Sequence, residues 1–204
     1  VSTPTLEIHK ADAGKKTGLV IISPGGAYQG LAYGKEGREI AEFLRKNGIS
    51  AAVLKYRVPF NREGALMDIQ RAIRYARANA EKLDIYPDKI AVMGFSAGAN
   101  LSARASTVYE NAYEYIDAVD DNLIYPNFTA LIYPAYCDDP MFQANWGDKS
   151  PVKSADYNHD YKPAEELEIS QRTPPAFIVE TQQDPYVNSA LAYYLALKKA
   201  GVSA

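Results

Sequence analysis

Scarce residue types bound this sequence before any motif does. Its 204 residues hold one cysteine, one tryptophan and two histidines. A lone thiol, Cys137, cannot close an internal disulfide, and by itself it says little about compartment. His9 and His159 have no cysteine or histidine neighbours at metal-ligand spacing, so no metal site is expected. Long apolar runs are missing too; none approaches the roughly 20 residues that a membrane-spanning helix needs. Positive charge is outweighed, with 22 Lys and Arg against 25 Asp and Glu, a net of −3. That balance offers no basic field to nucleic acid or to an anionic membrane. No leader is visible, but the chain starts at Val1 and not Met. The expectation is a soluble protein whose compartment is unassigned, secretion or the periplasm staying open, as does its oligomeric state.

What is present is ordinary in bulk and unusual in detail. An apolar fraction of 47% and a length of 204 residues suit one domain over 1–204 with a substantial core. Tyrosine is over-used, with 16 against six Phe. Its ring packs while its hydroxyl meets polar partners, as a sugar-binding cleft requires, although strand ends and helix flanks use it as well.

The stretch Ile90–Ala103 carries the strongest signal. It reads as an apolar run, the pentad Gly94-Phe95-Ser96-Ala97-Gly98, and then small helix-compatible residues. In that strand–turn–helix setting the serine takes a strained backbone and its hydroxyl stands clear. Gly94 and Gly98 fit a place where strand and helix backbones approach too closely for a Cβ.

Upstream, Leu6–Lys10 alternates as an edge strand, with His9 on its outer face. Gly18–Ile22 reads as a central strand running into Ser23-Pro24-Gly25-Gly26-Ala27-Tyr28, a turn that can present N–H groups outward. A helix is predicted over 35–47, with Ile40, Phe43 and Leu44 on one face, then a strand over 50–54, with Arg57 beyond it in a structural role. From Gly64 to Leu83 an apolar stripe recurs at steps of three and four, while Arg71, Arg74 and Arg77 read as a solvated face. Residues 109–127 show little periodicity. Ala130–Tyr133 and Ala176–Thr181 are further strands, and Asn188–Ala200 is the last helix. Residues 137–175 read as a lid or substrate loop. Alternating strands and helices imply a mostly parallel sheet, with ligands at the carboxyl ends of its strands. Asp184, just past a strand end, suits either an acid orienting a histidine or a plain helix cap.

Pro24–Tyr28, Lys55–Pro59, Pro87–Gly98 and Asp184–Val187 together resemble the α/β-hydrolase esterases of the acetyl-xylan-esterase and hormone-sensitive-lipase-like type. The resemblance runs through nearly the whole chain in order. It implies an α/β-hydrolase fold, a mostly parallel central sheet with helices on both faces. It also implies Ser96 as nucleophile, Asp184 as triad acid, and an oxyanion hole from the N–H groups of Ala97, Gly26 and Ala27. Pro24 stands where many relatives have histidine, and Ala27 where many have a third glycine; both leave the backbone donors available. Tyr28, Tyr136, Trp146 and Tyr186 are the candidate substrate contacts.

The base is the departure. The family's order is Ser, Asp, His, and no histidine follows Asp184. Relatives continue into another strand and a histidine loop where this sequence has Val202-Ser203-Ala204, so a C-terminally truncated domain, impaired by itself, is expected. That leaves the Ala176–Thr181 strand with an exposed or partner-covered edge. His159 as a substitute base and genuine loss of the base are the alternatives. The expected activity is a serine esterase that needs no cofactor and removes small acyl groups from a small-molecule or polysaccharide ester. The rival from another class is a non-catalytic carbohydrate- or partner-binding homologue, and a peptidase or thioesterase is a weaker enzymatic one.

Overall fold

Short apolar runs alternating with amphipathic stretches can bury their faces by layering helices on a sheet. The computed structural model, which describes residues 1–139 and 160–204, has that arrangement. Its strands are β1 (Thr5–His9), β2 (Thr17–Ser23), β3 (Ser50–Lys55), β4 (Ile85–Phe95), β5 (Phe128–Ile132), β6 (Asp138–Asp139), β7 (Lys162–Pro163) and β8 (Ala176–Val179). Six of them form one sheet in the order β1-β3-β2-β4-β5-β8, while β6 and β7 pair separately. β1 is antiparallel to β3 and the other neighbours in the large sheet are parallel. Val20 lies between Ala51 of β3 and Ala91 of β4. Leu19, Ile21, Ile22, Val53 and Val92 are fully buried, as a strand covered on both faces demands.

One face is covered by α1 (Glu39–Lys46), entered through a π-helical turn at Tyr33–Arg38. The other face carries α2 (Arg62–Ala78), the single-turn α3 (Ala80–Leu83) and α4 (Ala97–Thr107). α5 (Val187–Lys199) packs Tyr193 and Leu197 against Ala99, Ala103 and Leu131. The Asn61 side chain caps α2 by accepting from the Gly64 N–H at 2.9 Å. Leu66, Ile69, Ile73, Ala76, Ala80 and Leu83 are all buried, so the predicted stripe is real but is shared by two helices that meet at Asn79. Burying each large member contributes about 1.5–3 kcal/mol. Among the described residues no helix is long and apolar enough to cross a membrane.

Two expectations are corrected. Phe43 is 64% exposed, because the π-helical turn meets the sheet through Gly37 and α1 through Ala41 and Leu44. A Cβ on Gly37 would lie 2.8 Å from Val53 Cγ1, and that close approach rotates Phe43 outward. Arg71, Arg74 and Arg77 are anchors and not a solvated face. Arg71 pairs with Asp117 and Asp120, Arg74 donates to Asn122 O and Asn111 Oδ1, and Arg77 donates to Leu123 O. Arg74 is only 6% exposed. Residues 109–127 have little apolar periodicity, and these guanidinium groups hold their carbonyls and carboxylates against α2. Arg57 has the structural role expected of it, bonded to Asp68 and to Gly64 O.

β8 is the outer strand of the sheet. Beyond it, the one backbone bond among the described residues runs from Ala176 N–H to Ser203 O at 3.0 Å. Phe177 is 57% exposed there.

Candidate active site

Only Ser96 separates the last residue of β4 from the first of α4, so the chain must reverse on a single residue. It does so at φ 52° and ψ −119°, a backbone region that disfavours side chains. Its neighbours make that bend unavoidable. A Cβ on Gly94 would sit 2.0 Å from Gly98 O, and one on Gly98 would sit 2.0 Å from Ser23 O. The Ser96 N–H donates to Ile132 O at 3.0 Å, and its carbonyl accepts from Ala99, Asn100 and Ala135. The backbone is therefore pinned at both ends, while the hydroxyl has no hydrogen bond among the described residues.

The turn after β2 lies against this serine. A Cβ on Gly25 would be 3.0 Å from Ser96 Cβ and 2.7 Å from Phe95 O. Gly26 takes φ 138°, and Ala27 and Tyr28 follow at 53° and 55°. Gly25 spends its N–H on Glu36 Oε2 at 2.7 Å, and its carbonyl accepts from Ala32 at 2.8 Å. The Gly26 carbonyl accepts from Gln29 and Gly30. The N–H groups of Gly26, Ala27 and Ala97, the last opening α4, have no partner among the described residues. Free donors beside a nucleophile can stabilise negative charge on a carbonyl oxygen, and a helix N-terminus adds its dipole.

Asp184 stands beyond β8 with its Oδ1 accepting the Tyr186 N–H at 2.7 Å, and its carbonyl accepts from Val187. That bond closes a turn just before α5 and is not a helix cap, because Tyr186 is the residue that precedes the helix and no side chain caps it. β4, β5 and β8 run parallel, so Asp184 beyond β8 lies toward the same end of the sheet as the Ser96 turn, and its negative charge helps raise the pKa of both Tyr133 and Glu180. Tyr133 packs its ring 5.8 Å from that of Phe95.

Among the candidate contacts, Tyr28 is corrected to a core residue. It is 3% exposed, with its hydroxyl on Asn100 Oδ1 at 2.7 Å and its ring edge-on to Tyr56. Asn100, one turn beyond Ser96, draws it inward. Tyr186 is buried as well, its ring 5.3 Å from that of the half-buried Tyr136. Trp146 and His159 lie outside the described residues, as does most of the loop over 137–175. His9 is on β1, at the opposite edge of the sheet from β8, and bonds to Glu7. No group of three or more His, Cys, Asp or Glu side chains suited to a metal occurs among the described residues.

Two carboxyls at the rim went unnoticed in the sequence, Glu36 and Glu180. Glu180 closes an apolar strand, a weak signal that a buried charge was coming. Burial, aided by Asp184, lifts its pKa from 4.5 to about 7 despite a bond from the Thr181 N–H, and its Oε2 is buried with no partner. A folded-state pKa above the unfolded one gives stability that is complete below pH 4.5 and is lost as pH rises through about 7. Glu180→Gln is therefore expected to melt higher than the parent at pH 8 and level with it at pH 4. Equal melting temperatures at both pH values would show that Glu180 is not held protonated.

A mostly parallel sheet with a strained serine between strand and helix, beside a glycine turn, is an α/β-hydrolase arrangement, and the family model and relatives narrow it to the acetyl-xylan-esterase and hormone-sensitive-lipase-like type. A BD-FAE family model matches residues 6–198, and the chain belongs to that family. It is 31% identical over 199 residues to an acetylxylan esterase of Xylanibacter ruminicola, covering 91% of this chain and 38% of that protein. It is 30% identical over 204 residues to endo-1,4-beta-xylanase B of Butyrivibrio fibrisolvens, covering 93% of this chain and 30% of that protein. The chain thus spans about a third of the length of these curated relatives. Among solved structures, an acetyl ester-xyloside bifunctional hydrolase from Caldicellulosiruptor lactoaceticus superposes with a TM-score of 0.79 at 30% identity, over 98% of this chain and 75% of that one. A thermophilic esterase from Thermogutta terrifontis shares the fold at 21% identity, with a TM-score of 0.73 over 98% of this chain and 75% of its own.

Proposed function

We propose that the chain carries the active site of a serine carboxylic-ester hydrolase that removes small acyl groups, acetyl above all, from a carbohydrate. The observation that carries this reading is the Ser96 backbone, bent at φ 52° between two glycine close contacts and facing a turn with unpartnered N–H groups. A strained conformation persists where the surrounding structure over-determines it, and such positions cluster at active sites.

Ser96 Oγ attacks the acyl carbon while a histidine base takes its proton, and Asp184 holds that imidazole in the needed tautomer. The N–H groups of Gly26, Ala27 and Ala97 stabilise the tetrahedral oxyanion. The protonated imidazole then releases the alcohol, and water frees the acid from the acyl-enzyme by the same route. The base lies outside the described residues, since His9 stands at the far edge of the sheet. Tyr136 offers the half-buried ring on which a sugar could stack. The substrate class draws on the acetylxylan esterase and the acetyl ester-xyloside hydrolase that the chain resembles.

Substrate preference tests the reading in the protein at its full encoded length. Acetate release from acetylated xylo-oligosaccharides is expected to exceed release of longer acids, and any amide cleavage, by about tenfold or more in kcat/KM. A preference for amides or thioesters, or an equal rate in Ser96→Ala, would overturn it.

A further inference from the structure

The carboxyl of Glu36 bridges two parts of the molecule that are distant in sequence. It stands in the π-helical turn, and its oxygens accept from two loop tips: the Gly25 N–H at 2.7 Å and the Tyr133 hydroxyl at 3.0 Å. Those partners lie 11 and 97 residues away in sequence. Gly25 immediately precedes Gly26 and Ala27. Tyr133 follows β5, donates its N–H to Val179 O at 2.7 Å, and lays its ring on Phe95, the residue before Ser96. Burial, reinforced by Glu36, pushes the Tyr133 hydroxyl well above the usual phenol range, which keeps it a donor. The Glu36 side chain thus ties the turn after β2 to Tyr133 after β5, and Tyr133 itself reaches β4 through Phe95 and β8 through Val179.

The bond to Gly25 also shapes what the turn offers. Gly25 lies against Ser96, and its N–H is occupied by Glu36, so the next two N–H groups are the ones left open. We infer that Glu36 is a positioning residue, which holds the Gly25–Ala27 turn against Tyr133 so that the Gly26 and Ala27 donors face the developing oxyanion. The inference rests on the Ser96 chemistry proposed above. Donors of this kind act on charge that appears in the transition state, so misplacing them lowers kcat more than it raises KM.

Glu36→Ala, Glu36→Gln and Tyr133→Phe are compared with the parent at full encoded length, with kcat expressed per active site counted by a burst of p-nitrophenol. Glu36→Ala is expected to lose on the order of 10- to 100-fold in kcat, less than deleting a donor outright, with KM moved by under about threefold. Glutamine keeps one acceptor oxygen and the same size, so Glu36→Gln is expected to lose about fivefold and to remain readable if the alanine variant misfolds. Tyr133→Phe is expected to match Glu36→Gln. Unchanged kcat per site in the Glu36 variants, or a loss confined to KM, overturns the inference even if melting temperature falls. Ser96→Ala runs alongside. Full activity in that variant removes the esterase reading itself, whereas its loss beside unaltered Glu36 variants removes only the positioning role.

Discussion

Ser96→Ala is expected to lower ester hydrolysis on the order of 10^5-fold while leaving the fold intact, because the proposed chemistry runs through the Ser96 hydroxyl. Ser96→Gly is expected to be as inactive and yet more stable by about 1 kcal/mol, read as a raised urea midpoint. The sign follows from φ 52° and ψ −119°, a conformation that glycine adopts freely and a residue with a Cβ does not. Nor does either change remove a structural bond, since the hydroxyl has no hydrogen bond among the described residues. On the proposed reading, serine at that position gives up stability so that its hydroxyl can project as the nucleophile. If Ser96→Gly proved less stable than the parent, the strain would lie elsewhere; if either variant stayed active, Ser96 would have no part in the chemistry.

Gly98→Ala is expected to be, with Gly94→Ala, among the most damaging single-methyl changes at the described glycines. The added Cβ would stand 2.0 Å from Ser23 O and 2.6 Å from Pro24 O, both backbone atoms that no rotamer can move. α4 and β2 must separate to admit it, and Pro24 begins the turn that carries two of the proposed oxyanion donors. A loss of about 3 kcal/mol or more is expected, above the usual cost of overpacking, together with activity. Gly30→Ala serves as the control. Nothing lies within 4 Å of its Cβ position, so its effect should stay within about 0.5 kcal/mol. Equal melting temperatures for the two variants would mean that the strand and helix do not approach as closely as described.

The parts of this molecule legible in the sequence are those written in short range. Gly94, Ser96 and Gly98 fall within five residues, and the close contacts that explain both glycines sit where the pentad implied. The stripe from Leu66 to Leu83 is likewise local, and its burial follows from helical spacing alone. Glu36 was not legible, because its meaning lies in Gly25 and in Tyr133, and a sequence window shows neither bond. Arg74 looked solvated for the same reason: the carbonyl it serves, Asn122 O, is 48 residues on. Tyr28 reads as a cleft residue from its place in the glycine turn, until Asn100, 72 residues away, turns it into the core. Periodicity reports which face is apolar; it carries no information about which polar group waits on another strand.

Peptide mass mapping after treatment with a fluorophosphonate puts the nucleophile itself to the test, since a serine oxygen activated for attack displaces fluoride from phosphorus and keeps the label. The full-length protein is expected to carry one phosphonyl group, on the peptide containing Ser96, and Ser96→Ala to carry none. A label on any other residue, or an unlabelled Ser96 in protein that still hydrolyses esters, would contradict the assignment.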